Sequence, residues 1–96
     1  MQILVTYDVS TDTPEGRKRL RKVAQACKDF GQRVQKSVFE CTVSEVQYER
    51  FVHRLLAHID KKEDSLRIYR LREPKETSVR VYGIDLYVNF EEPLVF

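Results

Sequence analysis

Residues 2 to 9 form an apolar run with β-branched side chains at Ile3, Val5, Thr6 and Val9, which predicts a central strand covered on both faces. Ile3, Val5, Tyr7 and Val9 share one face of that strand, and Leu4, Thr6 and Asp8 share the other. Ser10 to Thr13 is a polar loop. Thr13 then caps a helix whose first position is Pro14, where a missing N–H does no harm. Leu20, Val23, Ala24, Cys27 and Phe30 recur at helical spacing and Gly31 supplies the stop, so the first helix spans residues 14 to 30.

Arg33 to Val43 is β-rich, and the interruption at Lys36-Ser37 allows either a tight hairpin or a kinked single strand. Ser44 and Gln47 form a capping box, Val43 and Tyr48 can staple across it, and Tyr48, Phe51, Val52, Leu55 and Ile59 make the buried stripe of a second helix. Lys61 to Asp64 is a charged turn. Ser65 to Arg72 follows as a strand whose alternation slips between Ile68 and Tyr69, where a bulge is expected. Pro74 ends it, and Val79, Val81, Ile84, Leu86, Val88 and Phe90 supply another alternating stretch, broken at Gly83.

The order β, α, β(β), α, β, β fits an α/β (α+β) fold, the ferredoxin-like βαββαβ sandwich, with two helices on one face of a four-stranded sheet. Residues 1-74 form the core domain. Residues 75-96 are surplus to it, and an alternating tail with no helix of its own most simply adds an extra C-terminal strand to its own sheet or a partner's. A homodimer with crossing tails is expected.

Composition narrows the class. With 96 residues, 42% of them apolar and 33% charged, the chain is one globular domain and too hydrophobic to be disordered. Cys27 and Cys41 belong to no CxxC pair and are too few for a disulfide framework, so both are read as buried thiols. The N-terminus has neither a basic lead nor an apolar stretch of membrane length, which points to a cytoplasmic protein with no membrane partner. The net charge of +2 is slight, yet Arg17, Lys18, Arg19, Arg21 and Lys22 fall within six residues. Lys18, Arg21 and Lys22 project away from the apolar stripe of the helix and Arg17 and Arg19 flank it; cations so near a helix N-terminus oppose its dipole, which a phosphate partner would explain. Arg33, Arg67, Arg70 and Arg72 add positive charge on strands, suited to backbone contacts.

Asp8 is in phase with a position read as buried, so its carboxylate needs a cation, hydrogen-bond donors or a metal. A cap or a salt bridge to a nearby arginine is one reading. The other is a ligand for Mg²⁺ serving a phosphodiester, with a second Asp8 supplied by a two-fold dimer. His53 and His58, five apart, share no helical face and are no zinc pair; Ser37 has no His or Asp context; Tyr7 and Phe39 read as core residues.

Four segments, in this order and spacing, carry a resemblance. They are Leu4-Val5-Thr6-Tyr7-Asp8-Val9, Lys18-Arg19-Leu20-Arg21-Lys22-Val23-Ala24, Gly31-Gln32-Arg33-Val34-Gln35-Lys36-Ser37-Val38-Phe39-Glu40-Cys41 and Asp64-Ser65-Leu66-Arg67-Ile68-Tyr69-Arg70-Leu71. Over residues 3 to 72 the chain resembles the CRISPR-associated protein two family, the small subunit of the spacer-acquisition machinery, in the variety of subtype I-C systems. The resemblance implies a ferredoxin-like homodimer whose two Asp8 side chains face each other and share Mg²⁺ or Mn²⁺, with endonuclease activity on double-stranded DNA or single-stranded RNA. It places Tyr7, Asp8, Arg17, Arg19, Arg33, Ser37 and Phe39 in the catalytic region, with Asp8 holding the metal and the arginines positioning phosphate. Arg17, Lys18, Arg19, Arg21, Lys22 and Arg33 are the expected nucleic-acid contacts, Glu40 and Asp85 candidate helper acids. It also implies an integrase partner, beside which the small dimer holds the protospacer duplex during spacer integration. A non-catalytic dimeric scaffold and a free-standing toxin-type ribonuclease of the same fold are the alternatives.

Overall fold

The computed structural model describes residues 1–85. Strand β1 (Gln2–Asp8) leads into helix α1 (Pro14–Phe30), strands β2 (Gln32–Gln35) and β3 (Val38–Thr42), helix α2 (Glu45–His58), strand β4 (Ser65–Leu71) and a four-residue helix α3 (Lys75–Ser78). The sheet order is β2-β3-β1-β4, antiparallel throughout, which is the ferredoxin-like arrangement. The interruption at Lys36-Ser37 is therefore the turn of a hairpin.

Each of the two long helices begins where a side chain answers its orphan N–H groups. The Thr13 hydroxyl accepts from the Gly16 N–H at 3.0 Å, and Ser44 and Gln47 complete the reciprocal capping box of α2. Gly31 ends α1 in extended backbone rather than in the left-handed region. What demands glycine there is room, because a Cβ would overlap the Cys41 sulfur and crowd the Glu40 carbonyl.

The core lies between the two long helices and one face of the sheet. Ile3, Val5, Tyr7 and Val9 from β1 meet Val23, Ala26 and Cys27 from α1, Phe51 and Leu55 from α2, and Phe39 and Cys41 from β3. Phe30 stacks on Phe51 with ring centroids 4.7 Å apart, fastening the end of α1 to the middle of α2. Burial pushes the thiol of Cys27 up to about 12 and that of Cys41 up to about 11, and both cysteines are free and buried as their spacing suggested.

Three expectations change. β1 is central but not covered on both faces: Leu4 and Thr6 are half-buried and Asp8 is exposed, because both helices pack on the other side. No bulge occurs at Ile68/Tyr69, where β1 and β4 stay in register from Gln2↔Leu71 to Asp8↔Ser65. The slip in alternation marks Tyr69 as an apolar residue on the open face, and the irregularity sits instead in β2, between Arg33 and Gln35. Past Pro74 the chain turns through α3, with the Thr77 hydroxyl on the Pro74 carbonyl, and residues 79 to 85 form no strand. The remainder of the expected extra strand, Leu86 to Phe96, lies outside the described residues. Among the described residues no helix is long and apolar enough to cross a membrane.

Gly16 provides a test of how α1 meets β1. A Cβ there would overlap the Ser10 carbonyl oxygen, so the helix enters against bare backbone. In an open helix Gly→Ala gains about 1 kcal/mol; here Gly16→Ala is expected to lose about 2 kcal/mol by overpacking. Urea denaturation reads the sign, and a raised midpoint would contradict the packing.

Candidate nucleic-acid interface

Asp8 is the last residue of β1 and projects from the face opposite the core. Its cross-strand neighbour is Ser65, and Leu4, Thr6, Val38, Tyr69 and Leu71 occupy the same face by register. The sequence pattern puts Asp8 in phase with a buried position; in one chain the carboxylate is instead hydrated and needs no counter-ion of its own. Among the described residues no three His, Cys, Asp or Glu side chains group around a metal-sized space. One chain thus supplies a single carboxylate to this end of the sheet, which is too few oxygens for Mg²⁺. Glu40 and Asp85 do not make up the number. They line a separate depression with Leu4 and Val38 farther along the open face, and Glu40 pairs with Lys75 at 3.4 Å.

Beside Asp8 a cleft of about 600 Å³ opens between α1 and the β2–β3 turn. Tyr7 and Asp8 come from the end of β1, Arg21 and Lys28 from α1, and Arg33, Lys36 and Ser37 from the hairpin. Four cations against one carboxylate make it an anion-attracting site. The Ser37 carbonyl accepts from the Tyr7 N–H at 3.1 Å, tying the turn to β1.

Two polar atoms under this cleft are buried with no hydrogen-bond partner among the described residues, the Tyr7 hydroxyl and the Arg33 Nε. The phenol and the guanidinium lie near enough to interact, short of good hydrogen-bond geometry, and form one polar pair beneath the cleft. Burial raises the Tyr7 phenol above its ordinary value, with the Arg33 guanidinium opposing, so the hydroxyl stays protonated and able to donate. Phe39 is fully buried, 6.2 Å from the Tyr7 ring at an interplanar angle of 24°, and the Arg33 guanidinium carbon lies 5.0 Å from its centroid. Phe39 is therefore no platform for a base; it holds Arg33 in place through a cation–π contact worth about 0.5–2 kcal/mol.

The basic run on α1 divides. Arg21 lines the cleft, whereas Lys18 and Lys22 line another groove. The Arg17 guanidinium donates to the Thr11 carbonyl at 3.2 Å and is exposed. Arg19 is engaged within the fold, donating from Nε at 2.8 Å and from an η-nitrogen at 3.2 Å to the carboxylate of Asp64. The Asp64 side chain is fully buried and also accepts from the Ser10 N–H at 3.0 Å and the Asp60 N–H at 2.9 Å. Arg19 holds its carboxyl below the usual carboxylate range; burial opposes, and the two backbone N–H groups assist. Asp64 opens the last of the four segments that carry the resemblance, but nothing in the sequence assigned it a role. Its effect is to fasten the segment that follows Asp8 to α1 and to the loop leaving α2.

The fold and this end of the sheet define a ferredoxin-like α/β sandwich with a cation-rich cleft, and comparison with known proteins gives the particular family. The profile described as CRISPR associated protein Cas2 matches residues 1–84. A "CRISPR-associated endoribonuclease Cas2 1" of Moorella thermoacetica is 66% identical, covering 99% of both chains, and a "CRISPR-associated endonuclease Cas2" of Halalkalibacterium halodurans is 49% identical over 100% of both. The crystal structure of Streptococcus pyogenes Cas2 at pH 6.5 superposes with a TM-score of 0.77 at 53% identity, covering 86% of this chain and 100% of that one. The chain belongs to the CRISPR-associated Cas2 family. Similarity continues past residue 72, where the resemblance read from sequence stopped.

The Asp64 knot yields a stability test. Asp64→Ala strands Arg19 and two N–H groups, and a loss of about 3 kcal/mol is expected. Because the folded carboxyl titrates below its unfolded value near 4, the contribution is fully present above that pH and disappears as pH falls through the lowered folded value. Melting curves of wild type and Asp64→Asn should therefore differ most at pH 5 to 7 and converge towards pH 2; a constant gap would remove the ion pair as its cause.

Proposed function

We propose that two copies of this chain pair through the open sheet face, bringing both Asp8 carboxylates together over one divalent metal, Mg²⁺ or Mn²⁺, in an endonuclease of CRISPR spacer acquisition. The observation that carries the reading is the position of Asp8. It stands exposed at the end of the central strand, on the sheet face that neither long helix covers, beside a cleft rich in cations. Tyr69 is 44% exposed on that face, and Val81, Tyr82 and Ile84 of the segment beyond α3 are exposed at 63%, 82% and 84%, an apolar surface suited to a second copy. A symmetric pair doubles the carboxylates that one chain lacks.

The chemistry is hydrolysis of a phosphodiester, with water adding to phosphorus as the ester oxygen leaves. Bound metal would supply charge neutralisation and a more acidic water. Arg21, Arg33 and Lys36 gather positive charge in the cleft beside Asp8, where they would hold the phosphate backbone, while the buried Tyr7 supports Arg33 from below. Relatives carry the names endoribonuclease and endonuclease, which supports nuclease activity, and the substrates proposed are single-stranded RNA or double-stranded DNA. Alongside an integrase subunit, the dimer would hold the protospacer duplex. The scaffold reading without chemistry is favoured by one observation, the lack of any metal-sized acid cluster among the described residues of one chain.

Cleavage of RNA and duplex DNA, with Mg²⁺, Mn²⁺ or chelator, separates these. Asp8→Asn is expected to lower the rate by about 10²-fold or more while duplex binding persists, and chelator is expected to do the same. Cleavage surviving both would remove the metal site, and a wild type that binds duplex but cuts nothing would leave the scaffold. Tyr69→Glu is expected to give a folded monomer by sedimentation equilibrium and to abolish cutting; an active monomer would contradict the shared site.

A further inference from the structure

The helix α1 carries its basic run as a ridge with a depression on either flank. Arg21 faces the cleft over Tyr7 and Arg33. Lys18 and Lys22, one turn apart, face a second groove of about 690 Å³, whose far wall is the end of α2 and the loop after it, with His58, Lys61 and Lys62. None of these four lysines forms an ion pair among the described residues. Arg19 also borders the groove, but its charge is spent on Asp64.

Two carboxylates in the wall do not balance the lysines. Asp60 accepts from the Lys62 backbone N–H at 2.9 Å, and Glu15 sits in the first turn of α1, where it answers the helix dipole. The imidazole of His58 is held below its ordinary value by partial burial and by the charges of Lys22 and Arg54. Positive charge is thus gathered from two elements without an equal counter-charge in the groove among the described residues. Like-charge repulsion opposes such a gathering, and an anion between the walls relieves it.

We propose that this groove is a second seat for a nucleic-acid phosphate backbone, on the opposite flank of α1 from the Arg33 cleft, so that a duplex crossing the helix is held on both sides. The proposal rests on the reading of the chain as a nucleic-acid protein and adds a surface to it. An acidic peptide is the competing occupant. The groove favours phosphate because its walls hold no aromatic anchor, its cations are hydrated point charges, and the positive surface continues over α1 to Arg21, Lys28, Arg33 and Lys36.

The test follows duplex DNA binding from 50 to 300 mM salt for wild type and for the variant Lys18→Gln/Lys22→Gln/Lys61→Gln/Lys62→Gln, with circular dichroism to confirm folding. The salt slope should shrink by about 0.9 for each phosphate that is no longer neutralised, hence by about 2 or more. In wild type, the His58 ring-proton titration followed by NMR should move to higher pH when duplex is bound, since phosphate offsets Lys22 and Arg54. Equal slopes, or a His58 midpoint unmoved by bound duplex, would overturn the groove while leaving the functional reading intact. A His58 shift with poly-glutamate but not with duplex would assign the groove to a protein and also overturn it. If wild type binds no duplex or RNA at all, the functional reading itself falls, and the groove with it.

Discussion

A carboxylate taken out of water needs each of its lone pairs answered, and at Asp64 the answers come from separate parts of the chain. Arg19 reaches from α1, the Ser10 N–H lies just past the end of β1, and the Asp60 N–H belongs to the loop leaving α2. None of these can withdraw without leaving buried charge, at a cost of several kcal/mol or so. The end of β1 is therefore registered against the basic face of α1, and Gly16 tightens the same joint by letting the helix enter against the Ser10 carbonyl. Asp8, two residues before Ser10, inherits a fixed position from a residue more than fifty positions away.

That joint explains why the site residues do not act as one set. Tyr7, Arg33 and Phe39 lie on the core side of the sheet, stacked and half or fully buried, while Asp8 stands on the open side. Arg19 belongs to the fold's interior bonding, and Arg17 touches the backbone of the loop it follows. Contact with a phosphate and support of the groups that make contact are different tasks, and residues adjacent in sequence divide them.

Much of the fold was legible because it is written locally. Thr13-Pro14 and the Ser44/Gln47 box each express a short-range rule and were obeyed to the residue, and the 3.6-residue stripes held in outline, with Ala26 added to the core and Val52 left out of it. What escaped was settled between distant segments. The sidedness of β1 depended on both helices choosing one face, which no apolar run of eight residues can report. Tyr69 broke the alternation of β4 because the open face carries apolar residues among its polar ones, and an apolar residue on the second face looks like a bulge in one dimension. The site was legible in Asp8 and in the cluster on α1. Asp64 was not, since an acid before a strand is ordinary until the fold brings Arg19 to it.

The two cysteines lie where α1 rests on the sheet, Cys27 on the helix and Cys41 on β3, close beside the Gly31 backbone. Their thiols, with values raised to about 12 and about 11, are almost wholly protonated at neutral pH and out of reach of reagents while the layers are closed. Each is a built-in clock for separation of the layers. The rate at which a thiol reagent consumes them, set against an unfolded peptide, measures how often the helix lifts from the strands, free of any assay on nucleic acid. Since Arg33 sits over the same patch of core, that clock also counts the moments when the floor of the cleft comes apart.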